Sequence, residues 1–101
     1  MDRRMLQQLQ QMQSRLMKAQ EELATTEVEG TAGGGAVKVV MNGHRELKGL
    51  TIAPEAVDPD DVETLQEMIV AAFNDAAKKA QELSESKLGG LTGGLNIPGL
   101  F

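Results

Sequence analysis

One histidine, fifteen carboxylates and ten basic side chains supply the reactive groups of this 101-residue chain, which has no cysteine. His44 follows Asn42-Gly43 and precedes Arg45. It reads either as a general base or ligand, or as an exposed turn residue without such a role. A lone histidine without cysteine cannot assemble an ordinary zinc site. Asp58, Asp60, Asp61 and Glu63 suggest a hard-cation site. They lack the alternating spacing and central glycine of a calcium loop, and helix capping accounts for them. Gly33-Gly34-Gly35 follows a strand-like segment but leads into another strand, so it is poorly suited to cradle phosphate at a helix start. This inventory argues against catalysis and calls for neither metal nor cofactor.

The basic groups are more informative. Arg3, Arg4, Arg15 and Lys18 share the first twenty residues with a single acid, Asp2, whereas Glu21, Glu22, Glu27 and Glu29 follow. Arg4, Gln8, Gln11, Arg15, Lys18 and Glu22 recur at helical spacing and form a stripe that is mostly cationic or neutral. Gln7, Gln8, Gln10, Gln11 and Gln13 add hydrogen-bond donors without charge. The net charge of −5 opposes generic nucleic-acid binding, so any such function must rest on where the charges lie. On residues alone the stripe is either a phosphate-contacting surface or a solvated helix face.

These groups need elements to position them. Met5, Leu9, Met12, Leu16, Ala19 and Leu23 are spaced 4-3-4-3-4, a coiled-coil-like seam, and predict a helix from about Asp2 to Ala24. Thr25 to Thr31 reads as a short strand, with Thr26, Val28 and Gly30 on one side and Glu27 and Glu29 on the other. After the glycine turn, Val37, Val39 and Met41 alternate with Lys38 and Val40, and Leu50 and Ile52 flank Thr51. Asn42-Gly43 between these runs predicts a tight turn with two residues at positive φ. Pro54 should end the pairing. Asp58 is the expected N-cap of a second helix, with Pro59 at its first position and Gly89-Gly90 ending it near Lys87. Its expected apolar face is Val62, Leu65, Ile69, Ala72, Phe73, Ala76, Ala80 and Leu83, with Asp75–Lys79 and Lys78–Glu82 pairs on the solvent side.

The expected fold class is therefore α+β: helix, three-stranded antiparallel sheet, helix. Residues 1–88 form one domain and residues 89–101 a flexible Gly-rich tail carrying Leu91, Leu95, Ile97, Leu100 and Phe101. The Gln-rich start does not read as a signal peptide, no apolar run spans a bilayer, and the lack of cysteine suits a reducing cytoplasm. Helices of ~34 and ~43 Å outreach strands of ~20 Å, which predicts self-association to bury the seams. Edge-strand and helix-seam pairing both fit these patterns.

Three local stretches in this order resemble the YbaB/EbfC family of bacterial nucleoid-associated proteins. They are Gly33-Gly34-Gly35 leading into Val37-Lys38-Val39 with Asn42-Gly43 after it, Ala71-Ala72-Phe73-Asn74-Asp75-Ala76-Ala77-Lys78-Lys79, and Leu95-Asn96-Ile97-Pro98-Gly99-Leu100-Phe101. The resemblance covers essentially the whole chain. It implies an elongated, tweezer-like homodimer with paired sheets at the centre and projecting helices that bind double-stranded DNA. It further implies a change in DNA conformation, with roles in nucleoid organisation and gene expression, and a cytoplasmic, nucleoid location. The DNA contacts it implies fall on Arg3, Arg4, Arg15 and Lys18 in the first helix and on Lys78, Lys79 and Lys87 in the second. Binding should be largely without sequence specificity, since no aromatic platform or major-groove reader is present. The alternative is a protein-interaction adaptor that docks through the Met-rich first helix and the tail, without DNA or membrane contact.

Overall fold

The computed structural model describes residues 2–91; Met1 and residues 92–101, including Leu95, Ile97, Leu100 and Phe101, lie outside the described residues. Helix α1 (Arg3–Thr25) leads into strands β1 (Glu27–Ala32), β2 (Val37–Asn42) and β3 (Leu47–Ile52), and helix α2 (Val62–Leu91) follows. The sheet is antiparallel in the order β1-β2-β3. The expected helix–sheet–helix order is thus present, and the molecule is elongated, 69 × 26 × 16 Å.

The alternation in β2 carries the core. Val37, Val39 and Met41 turn to one face and are buried against Ala72 and Ala76 of α2, with Leu65, Met68 and Ile69 around them. Each such fully buried side chain contributes about 1.5–3 kcal/mol. The small residues of α2 let it approach β1 very closely. A methyl group at Gly30 would be driven into the Ala72 carbonyl and the backbone nitrogen of Ala76. Ala80 is buried further along α2, and beyond the sheet the same helix packs on the C-terminal turns of α1.

Several details depart from the sequence expectation. The hairpin turn is not a two-residue Asn-Gly turn. Positive φ falls on Arg45 (61°), and Asn42 acts through its buried side chain. Its Oδ1 accepts from the backbone N–H groups of His44 and Glu46, both at 3.0 Å, and its Nδ2 donates to Glu46 Oε1 at 2.8 Å. A carboxamide that satisfies three loop partners stabilises a longer loop over the tightest turn.

The N-cap of α2 is Asp61, not Asp58. Asp61 Oδ1 accepts from Thr64 N–H at 3.3 Å and Oδ2 from the Thr64 hydroxyl at 2.7 Å. Asp58 instead closes the preceding turn, accepting from Asp60 N–H at its side chain and from Asp61 N–H at its carbonyl. Pro59 therefore sits in a turn ahead of the helix. At the other end α2 runs through Gly89 and Gly90 to Leu91, past the expected stop.

The apolar face of α2 is also rotated from expectation. Met68 joins the core, while Val62 and Phe73 are exposed. The Asp75–Lys79 pair forms at 3.4 Å but faces the β1 edge, and Lys78 makes no ion pair among the described residues. Pairing ends as Pro54 requires, the last backbone bond running from Ala53 N–H to the Ala36 carbonyl.

Candidate nucleic-acid interface

Helix α1 is an arm. Asp2 caps its start by accepting from Arg4 N–H, and burial begins only at Ala19 and Leu23. The preceding four turns, with Met5, Leu9, Met12 and Leu16 of the expected seam, are exposed. The base of the arm is held by the β2–β3 loop. Gly43 N–H donates to the Leu23 carbonyl at 2.7 Å, Asn42 Nδ2 donates to the Ala24 carbonyl at 3.2 Å, and His44 Nε2 lies 3.1 Å from the Gln20 carbonyl oxygen. Two of these carbonyls lie in the last turn, where a helix has no internal donors left, so the hairpin loop serves as the C-cap of α1. Gly43 permits this approach because a side chain there would strike Leu23. The sequence offered no separate signal for this role, since Asn42-Gly43 also fits an ordinary tight turn.

Lys87 on α2 adds a second tether, its Nζ donating to Glu22 Oε2 at 3.0 Å. That contact holds the Glu22 carboxyl below the ordinary glutamate range. The Asn42 carboxamide does the same for Glu46, and the Thr31 N–H for Asp75.

This scaffold divides the seven cations expected to meet DNA. Arg3, Arg4, Arg15 and Lys18 are exposed on the projecting part of α1, and none is ion-paired among the described residues. At 3.6 residues per turn Arg4, Arg15 and Lys18 fall within an arc of roughly 80° together with Gln8 and Gln11, and extend along ~21 Å of helix. Arg3 lies about a quarter turn away. Lys78 is exposed on α2. Lys79 is engaged with Asp75 and the Glu29 carbonyl, and Lys87 with Glu22. Among the described residues the first arm thus gathers four cations without an ion pair, and the second presents one.

Other chemistry has less support in the geometry. Among the described residues no three His, Asp or Glu side chains converge as metal ligands. Asp58 and Asp61 are occupied by the turn and cap bonds of their own backbone. The cleft between the hairpin loop and α2, about 400 Å³, is lined by Gly43, His44, Arg45, Gln81, Ser84 and Glu85 among others. Its histidine Nε2 already faces the Gln20 carbonyl. Among the described residues no helix is long and apolar enough to cross a membrane.

A model of the YbaB/EbfC DNA-binding family matches residues 1–95. The chain belongs to that family. A relative from Roseiflexus sp. (strain RS-1), named a nucleoid-associated protein, is 62% identical over 100 residues, covering 98% of this chain and 99% of its own. A nucleoid-associated protein of Chloroflexus aurantiacus is 60% identical over 99 residues, covering 98% of this chain and 97% of its own. Among solved structures, an uncharacterized protein from Helicobacter pylori superposes with a TM-score of 0.78 at 29% identity, covering 92% of this chain and 99% of that one. The DNA-binding description of that family agrees with the segregated basic arm of this acidic chain.

Proposed function

We propose that this protein binds double-stranded DNA as a homodimer through phosphate contacts of α1, largely without sequence preference. In doing so it alters DNA conformation and, with it, nucleoid organisation and gene expression, acting in the nucleoid of the cytoplasm. The observation that carries the reading is the arm itself: Arg3, Arg4, Arg15 and Lys18 are exposed, and among the described residues without an ion pair, on a helix held firmly at its other end. Phosphate contacts from such a stripe supply affinity and position, and base-edge readers are what sequence preference would require. Lys78 adds a contact from the second arm, while Lys79 and Lys87 serve by holding β1 and α1 in place. The dimer doubles the first-arm cations to ~8 and covers apolar surface that one copy leaves open.

The test is fluorescence anisotropy with a random ~30-base-pair duplex at several salt concentrations. A log–log slope of about −4 or steeper, lost when the four α1 cations are changed to Ala, supports the reading. Salt-independent binding, or none at low salt, overturns it.

A protein-interaction adaptor is the second reading, and the exposed row Met5, Leu9, Met12 and Leu16 favours it. Partner capture that survives removal of the four cations but is lost on Leu9→Asp would support it.

A further inference from the structure

The apolar stripe of α1 is covered at one end only. Ala19 and Leu23 are buried, whereas Met5, Leu9, Met12 and Leu16, which continue the stripe at the same spacing, are 45–55% exposed. The covered end lies against α2 and the β2–β3 loop. Three contacts give the course of α2 here: Asp75 meets Thr31, Lys79 meets Glu29, and Lys87 meets Glu22. Numbers rise on α2 as they fall on the facing segment, so the end of α2 heads along α1 toward its exposed turns. One turn past Lys87 is Leu91, and one turn before Glu22 is Lys18. The end of α2 therefore stands about where the exposed row begins.

Ten residues follow α2, and four of them, Leu95, Ile97, Leu100 and Phe101, are large and apolar. From Leu16 to Met5 the row is ~17 Å long, and ten residues reach up to ~33 Å when extended. The segment starts at the right place, is long enough, and carries as many apolar side chains as the row has.

We propose that residues 95–101 lie along α1 of their own copy and cover the row Met5, Leu9, Met12 and Leu16. Gly93-Gly94 and Pro98 oppose further helix, so the path is extended and antiparallel to α1. Leu95 and Ile97, two apart, present one side of an extended chain to Leu16 and Met12. Leu100 and Phe101 then reach Leu9 and Met5. Arg4, Arg15 and Lys18 stand beside the row, about a quarter turn around the helix, and stay open. The seat of the tail is thus separate from the DNA-contacting flank and does not depend on DNA binding. An outside apolar partner gains the row only by displacing the tail.

Because the chain has no cysteine, a single introduced thiol places one spin label. Gln13→Cys is exposed and flanks the row on the side away from the cations. In the labelled full-length chain the amide resonances of residues 95–101 should broaden, and Leu9→Ser/Leu16→Ser should restore them. No broadening in the parent, or broadening that persists in that variant, overturns the proposal. Isotope-labelled chains mixed with unlabelled, spin-labelled ones report contacts between copies. Broadening of the tail only in the mixed sample would mean that the tail crosses to another copy, and broadening of α1 there would mean that a second arm covers the row. Either result overturns the proposal.

A projecting helix with no packed face frays readily, so a seated tail should protect it. Leu100→Ser/Phe101→Ser should raise amide exchange across residues 5–16 about tenfold or more while exchange in β2 stays unchanged. Equal exchange in α1 of the variant and the parent would also overturn the proposal.

Discussion

Asn42 Nδ2 donates to the Ala24 carbonyl at 3.2 Å, so the side chain that organises the β2–β3 loop also caps the first helix. A residue 18 positions along the chain thereby sets the direction in which the basic arm leaves the sheet. The same carboxamide serves His44, Glu46 and Ala24 at once, which makes the loop and the arm a single cooperative unit.

Asn42→Ala should therefore cost more than a surface loop change. It leaves several partly buried groups without partners, each worth about 1–3 kcal/mol, so a loss of about 3 kcal/mol is expected from urea denaturation. Amide exchange should rise first in residues 20–25 and the loop. Loss of under about 0.5 kcal/mol would show that water replaces the carboxamide freely.

Gly30→Ala tests the close approach of α2 to β1. With Ala72 and Ala76 backbone atoms in the way, the helix must move off the strand, and overpacking of this kind costs about 1–3 kcal/mol or more. A thermal melt within a degree of the parent would mean that the helix shifts without loss.

Acid should destabilise the fold through three carboxyls. Asp75, Glu22 and Glu46 are each held below their ordinary values, by the Thr31 N–H, the Lys87 ammonium and the Asn42 carboxamide respectively. A carboxyl with a lowered folded-state pKa stabilises fully above its unfolded value, about 4, and that stabilisation is lost as pH falls through the folded value. Melting temperature should thus hold from pH 7 to 5 and fall toward pH 3, more steeply in the parent than in Glu46→Gln. Equal slopes would remove Glu46 from the account.

Opening the β1 edge should change assembly. In Asp75→Ala/Lys79→Ala the Thr31 N–H and Glu29 carbonyl lose their partners and the strand edge becomes available. Species larger than the parent should appear by light scattering and grow with concentration. A mass distribution identical to the parent would show that the edge stays closed by other means.

The cations should separate by role. Lys18→Ala and Arg15→Ala should each lower the salt slope of DNA binding by about one, uniformly across sequences. Lys79→Met should leave that slope unchanged while lowering the melting temperature, because its ammonium is bound to Glu29 and Asp75. A fall of the slope in Lys79→Met would make that residue a phosphate contact.

Order and type of elements were legible in the chain because they depend on local periodicity. The alternation of Val37, Val39 and Met41 and the heptad spacing of α1 need only a strand's period of two and a helix's of 3.6. The segregation of Arg3, Arg4, Arg15 and Lys18 from the acids of the chain was visible for the same reason. What tertiary structure alone decided concerns partners distant in sequence. Asn42-Gly43 fits a tight turn until Ala24 and Leu23 arrive to be capped, and Asp75-Lys79 reads as a surface ion pair until the β1 edge lies beside it. Likewise Lys87 looks as free as Lys18, and only the packing of α2 on α1 places Glu22 within reach. Periodicity assigns each residue to a face, but which backbone group or charge that face meets depends on chain segments tens of residues away.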